Sequence, residues 1–280
     1  LQDGFPLADA YEARVSAPHG TAFEQIDFAG GPDAARRTVN GWIEEQTRDR
    51  IQDLLPDGSV SAETRLILTN AVYMNARWLV PFEKEATWDA TFHVPGAGQV
   101  RVPTMHGKAF RRHTVTGAYA AVELDYQGSD VSMVLVMPTP GTLEAFEASL
   151  DAESWAAIVS SLATADVRLA MPKFEARAQA DLGGALKDMG MGVAFSDAAD
   201  FSRMSSHEAL LISGVFHGAF VRVDEAGTEA AAATAVVMAP TSAPIEDEPV
   251  VITIDHPFLF AIRDKATGAI IFLGRVTDPR

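Results

Sequence analysis

The side chains able to do chemistry in this chain are hydroxyls, carboxylates and seven histidines, for it contains no cysteine. Acyl transfer by a serine needs that serine raised on a sharp turn beside a histidine. The G-x-S-x-G spacing that signals such a turn is absent. Helical zinc hydrolysis needs two histidines one turn apart with a glutamate beside the first, and no H-E-x-x-H occurs. His106 and His113 fall in a stretch that reads as a loop, without metal-ligand neighbours. The lack of cysteine removes thiol catalysis, disulfides and thiolate metal sites. The residues therefore assign no catalytic set, no metal and no cofactor, and the chain does not read as an enzyme.

One segment has chemistry of another kind. Residues 225–248 read EAGTEAAAATAVVMAPTSAPIEDE. A connection of this length is functional or disordered more often than not. Its first half is alanine-rich and favours helix by propensity. Its second half carries Pro240, Pro244 and acidic residues, and favours an extended, solvated chain. A flexible linker or a short surface helix is one reading. Alternation gives a second. Thr228, Ala230, Ala232, Thr234, Val236 and Met238 share one side of an extended chain with no charge among them, and Glu229 falls on the other. Such a segment could enter a sheet as an extra strand, its small residues sliding between two existing ones. Propensity for one state and pattern for another is the conflict expected at a switch.

The surrounding elements must present this segment. Period-2 runs predict strands over 65–74, 131–137, 167–171, 211–223, 250–254, 258–262 and 270–276. The run 65–74 puts Leu66, Leu68, Asn70, Val72 and Met74 on one face, and 211–223 puts His217 with Val215, Ala219 and Val221. A histidine on such an apolar face is usually a satisfied core residue. The last two strands read as a hairpin across 263–268. Helical spacing appears at Val39, Trp42 and Ile43 within 33–46, at Leu143, Phe146 and Leu150, and at Trp155, Ile158, Val159 and Leu162. Long strands with a few helices between them predict an α+β protein with more than one sheet and no linker that splits it.

The formal net charge of −16 disfavours nucleic acid and anionic membrane surfaces as partners. No apolar run is long enough to span a membrane as a helix. The opening residues Leu1-Gln2-Asp3-Gly4-Phe5 read like the tail of a strand cut mid-element, so the expectation is that an N-terminal part, with any signal peptide, precedes them.

Several segments in register resemble one family. The run from Asp224 through Ala235, DEAGTEAAAATA, is similar to the reactive-loop hinge of inhibitory serpins. NGWIEEQT from Asn40, IQDLLP from Ile51, TNAVYMNARW ending at Trp78, Pro81-Phe82, Met171-Pro-Lys-Phe174, His256-Pro-Phe-Leu-Phe260 and FLGRVTDP from Phe272 also resemble serpin segments. The chain is identified as a bacterial-type, inhibitory member whose match covers 1–280 as a single serpin domain. The resemblance implies a serpin fold: a large central mixed β-sheet, two smaller sheets and surrounding helices. The helices that open the family's fold, including the one beneath the central sheet, are absent from this chain's match.

The resemblance also implies a suicide-substrate inhibitor of serine-type endopeptidases. The protease attacks the bait bond and forms an acyl-enzyme. The freed hinge (Glu225, Gly227, Thr228, Glu229, Ala230, Ala231, Ala232, Ala233 and Thr234) then enters the central sheet. Counting from Glu225 and Gly227 places the bait bond at Thr241–Ser242, with cleavage after Met238 as an alternative. Ser242 is a leaving-side residue and not a nucleophile. Thr241 suits a protease with a small or medium primary pocket: elastase-like, subtilisin-like or chymotrypsin-like. Asn70 and His217 are expected in a hydrogen-bonding cluster that keeps the sheet closed, the shutter. Trp78, Lys173 and Glu225 are expected where insertion starts, the breach, with a Lys173–Glu225 ion pair; the bland alternative is ordinary surface charge. No cofactor is implied, and a monomer is expected. The compartment stays open, with a lean to extracellular. A non-inhibitory relative acting as a binding protein or chaperone is the competing expectation. Such relatives carry bulky or charged hinge residues, and Thr228 with Ala230–Ala233 favours the inhibitor.

Overall fold

The structure, a computed structural model, describes residues 1–19, 24–128, 130–228 and 248–280. In chain order the helices are α1 (Asp9–His19), α2 (Pro32–Gln46), α3 (Leu143–Ala148), α4 (Ala152–Ser161) and α5 (Gly183–Leu186). The strands are β1 (Thr69–Tyr73), β2 (Ala76–Arg77), β3 (Thr87–Val94), β4 (Gly98–Val115), β5 (Tyr119–Asp125), β6 (Val131–Pro138), β7 (Ala163–Pro172), β8 (Phe174–Asp181), β9 (Phe216–Val223), β10 (Gly227–Thr228), β11 (Val250–Thr253), β12 (Phe258–Asp264) and β13 (Ile270–Val276). Two compact units divide these elements. One is Leu1–Tyr73 with Arg177–Phe220, the other Met74–Ala176 with Val221–Arg280.

In the first unit, α2 starts on Pro32, which lacks an N–H where the first turn has no use for one. Asp33 in that turn pairs with Arg36 at 3.1 Å. Ile43 is fully buried among Ile51, Leu54 and Phe220. Trp42 does not join this core as its spacing predicts, being 52% exposed. Asn40 is buried instead. Its amide donates to the Leu55 carbonyl at 3.0 Å and its oxygen accepts from the Leu55 N–H at 2.8 Å, so it pairs backbone groups that would otherwise be orphaned.

Strands β1 and β9 pair in parallel, from Thr69 opposite Phe216 to Tyr73 opposite Phe220. Both are shorter than predicted, and they shorten at the same place. Extending the register backward would set 65–68 against 212–215, where neither run is in a ladder. On β1 the core side is also the opposite of the one predicted, whereas on β9 Val221 of the predicted face is buried along with Phe220. Ala71, Tyr73, Phe216 and Phe220 pack with Ile43, Ile51 and Leu54, while Leu68 is 55% exposed.

In the second unit, hydrogen bonding runs through eight strands in the order β11-β7-β4-β5-β6-β12-β13, with β3 also on β4. Where the family resemblance implies two smaller sheets, hydrogen bonding joins these strands into one through β4, an 18-residue strand. It pairs with β3 at its start, with β7 from Thr104 to His113, and with β5 at its end. His106 and His113 therefore lie in this strand and not in a loop. His106 sits opposite Ala170, and His113 opposite Val122 and Ala163. Partners on both edges override a pattern too mixed to read as a strand. Helix α4 opens with a reciprocal cap between Asp151 and Ser154. It buries Ile158, with Leu162 just beyond its end, against Ala121, Val134, Val136 and Leu259. The β12–β13 hairpin closes as predicted, with Asp264 N–H donating to the Ala269 carbonyl.

Candidate functional site

At the end of β9, in the second unit, the chain turns through Asp224–Gly227 and returns as β10. The Asp224 N–H donates to the Gly227 carbonyl at 2.9 Å, and the Asp224 carboxylate accepts from the Ala226 N–H at 2.9 Å. An aspartate side chain that mimics a backbone turn in this way fixes the reversal. Strand β10 is antiparallel to both its neighbours. Thr228 sits opposite Val223 on one side and opposite Ala76 on the other, and Gly227 sits opposite Arg77. The root of the 225–248 segment is thus already a strand lying between β9 and β2.

Residue type at this root is dictated by space. A Cβ on Gly227 would stand 2.1 Å from the Ala76 carbonyl oxygen and 2.7 Å from Arg77 Cα, and the residue has φ +152°. Only glycine lets the two backbones approach so closely. Thr228 is 0% exposed, and its hydroxyl lies 2.6 Å from the Tyr126 hydroxyl. Burial pushes the Tyr126 pKa up, opposed in part by the Thr228 bond, so the phenol stays neutral.

Trp78 is buried and stacks on Tyr126 with centroids 4.5 Å apart. Its indole N–H donates to the Asp224 carbonyl at 2.9 Å, and its backbone N–H to the Ala226 carbonyl at 2.9 Å. The Phe82 N–H takes the Glu225 carbonyl at 2.9 Å. Three of the four carbonyls of the turn, those of Asp224, Glu225 and Ala226, are therefore held by the 78–82 segment. The Glu225 carboxylate accepts from the Lys173 ammonium at 2.9 Å. Burial works against its charge, but the Lys173 bond and a backbone N–H outweigh that and hold its pKa below the usual carboxylate range.

The structure thus brings together Trp78, Lys173, Glu225, Gly227 and Thr228. Asn70 and His217 lie in the other unit, directly opposite each other across β1 and β9. Asn70 is exposed and His217 half-buried. On β1, Ala71 and Tyr73 take the buried side. Glu229, Ala230, Ala231, Ala232, Ala233, Thr234, Thr241 and Ser242 lie outside the described residues. The sequence reading missed Tyr126 and Asp224. A tyrosine closing the apolar run of β5 hints at a buried phenol in need of a partner, but nothing local names Thr228, 102 residues away, as that partner. Among the described residues no cluster of three or more metal-ligating side chains occurs, and no helix is long and apolar enough to cross a membrane.

An uncharacterized serpin-like protein of Thermococcus kodakarensis is 39% identical over 280 residues, covering 100% of this chain and 65% of its own. Human serpin B3 is 37% identical over 269 residues, 92% of this chain and 67% of its own. Uncleaved ovalbumin superposes with a TM-score of 0.87 at 27% identity, covering 99% of this chain and 71% of its own. The chain spans about two thirds of the length of the curated relatives it matches. The family model described as serpin (serine protease inhibitor) matches residues 1–279, and the chain belongs to the serpin family.

Proposed function

We propose that this protein is a suicide-substrate inhibitor of serine-type endopeptidases, in which 225–248 is the bait and Thr241–Ser242 the bond attacked. The observation that carries the reading is the seat of Gly227 and Thr228 between β9 and β2. A loop whose third and fourth residues are already paired in a sheet can extend that pairing residue by residue once its far end is cut free. The acyl-enzyme formed at Thr241 is then drawn along with the inserting strand, and its ester escapes hydrolysis when the protease is distorted. Thr228, Ala230, Ala232 and Thr234 share the side that a new strand would bury, and all are small and uncharged. Each strand residue added gains about 1 kcal/mol per hydrogen bond against an ordering cost of about 1–2 kcal/mol. Burial of Val236 and Met238, at roughly 1.5–3 kcal/mol each, supplies the further drive.

The test is incubation of the protein with elastase-like, subtilisin-like and chymotrypsin-like proteases, followed by denaturing electrophoresis and mass spectrometry. The expected product is a denaturant-resistant complex carrying the inhibitor cut after Thr241. Cleavage in the loop with no complex and no rise in thermal stability refutes the reading and favours a binding protein that does not inhibit.

A further inference from the structure

In the second unit, apolar side chains near the loop root are left uncovered by the fold. Leu79, Val80 and Phe110 are 49%, 46% and 73% exposed, and together they wall a hollow of about 200 Å³. Single apolar residues on a surface need no explanation, but several sharing one concavity mark a place for a partner. The charged groups of the same wall are satisfied within the fold. Glu123 accepts from Ser132 at 2.6 Å, Arg112 at 2.5 Å and Arg263 at 3.1 Å, and Asp125 accepts from Lys265 at 2.8 Å. What the hollow offers outward is therefore its apolar side, with room for about one side chain.

Both ends of the 225–248 segment lead to this surface. Its start is held by the two residues that flank Leu79 and Val80 most closely among the turn's partners. The Trp78 N–H donates to the Ala226 carbonyl and the Phe82 N–H to the Glu225 carbonyl, both at 2.9 Å. Its end passes into β11, which begins at Val250. There Val251 sits opposite Arg168 on β7, and Arg168 sits opposite Lys108 on β4. Strand alternation puts Lys108 and Phe110 on one face, and Val251 is 64% exposed. Lys108 pairs with Asp166 at 2.9 Å. Arg168 is exposed, and no carboxylate among the described residues pairs with it. In a protein of net charge −16 a free cation on this face is a local exception.

We propose that this face is a second contact surface for the protease that attacks the loop. The inference rests on the inhibitor reading above. Leu79, Val80 and Phe110 seat an apolar side chain from the rim of the protease's active-site cleft, and Arg168 meets a carboxylate beside it. The reach of the chain supports this occupant. Ser242 stands eight residues before Val250, so the attacked bond is tethered within about 28 Å of β11. A protease domain is wider, roughly 45 Å across. Whatever grips Thr241–Ser242 therefore brings its own surface to this face. Contact here selects among proteases that accept a small residue at the bond equally well.

The test is binding of the 280-residue protein to pancreatic elastase, subtilisin and chymotrypsin, each with its catalytic serine replaced by alanine, so that docking is read without acylation. One of the three is expected to bind at least about tenfold tighter than it binds a free peptide of residues 234–248. Phe110→Ser should weaken that binding at least about fivefold. The double variant Leu79→Ser/Val80→Ser should do the same, and serves if the first does not fold. Arg168→Glu should slow association at low salt and approach the parent at about 0.5 M salt. Undiminished binding by both serine variants, or binding of the whole chain no tighter than that of the peptide, overturns the proposal. Failure of the inhibitor reading shows separately, as the lack of a denaturant-resistant complex with the active proteases, which the docking of the inactive ones does not require.

Discussion

The Thr228 hydroxyl lies 2.6 Å from the Tyr126 hydroxyl, and both side chains are shut off from water. The bond joins the root of the long 225–248 segment to the end of β5. Above it Trp78 stacks on the same tyrosine and holds two carbonyls of the turn that launches β10. Buried hydroxyls require partners, so each of these groups fixes the other and the pair holds β10 in its sheet.

Tyr126→Phe should cost about 1–2 kcal/mol of unfolding free energy, because it leaves the Thr228 hydroxyl buried with one partner fewer. Thr228→Val should cost a similar amount. The double variant should cost less than the sum by about 1 kcal/mol, since the second change removes a bond already lost. Urea titration followed by tryptophan fluorescence measures this. Strict additivity would mean that the two hydroxyls do not interact.

Gly227→Ala should expel the root from the sheet. The added Cβ meets backbone atoms of Ala76 and Arg77, which cannot swing aside as a side chain can. A destabilisation of at least about 2 kcal/mol is expected. Hydrogen exchange should quicken at the Thr228 and Trp78 amides, which pair across this seam. Unchanged protection at both would refute the close approach as the reason for glycine.

Acid should loosen the turn through Glu225. Its folded pKa is below the unfolded value of about 4.3. The stabilisation is therefore fully present above that value and is lost as pH falls through the folded pKa. Glu225→Gln should remove this part of the acid slope. At neutral pH the variant should differ from the parent by no more than about 1 kcal/mol, because Lys173 remains partly exposed. The two should converge once the pH has fallen through the folded pKa of Glu225. A difference unchanged along the whole acid limb would assign the effect to packing and not to charge.

Thr228→Arg should turn an inhibitor into a substrate. Thr228 is 0% exposed in its strand position, and an arginine there must bury an unpaired charge at a cost of several kcal/mol. Complex formation with a protease that cuts the loop should fall, while the yield of cleaved, dissociated protein rises. Retained complex formation would count against insertion through this seam.

Much of the fold was legible because its determinants are local. Hairpin β12–β13, strand β6 and helices α2 and α4 follow from period-2 and period-3.6 patterns. The family resemblance likewise rests on runs of residues that a sequence displays in full. Long-range pairing decided the rest. Strand β4 carries charges, histidines and glycines at irregular intervals, and is a strand because β3, β7 and β5 supply hydrogen-bond partners along it. Strands β1 and β9 end together because each is the other's partner. Asn40 is inside and Trp42 outside because Leu55 needed both its backbone groups met. The sequence alone determined that 225–248 is an unusual connection, alanine-rich yet patterned for a strand. Only the tertiary structure decided that its root is already a strand, since that required Ala76, Trp78 and Tyr126 to arrive from about a hundred residues or more away along the chain, the separation at which loop-closure entropy makes a contact invisible to any local pattern.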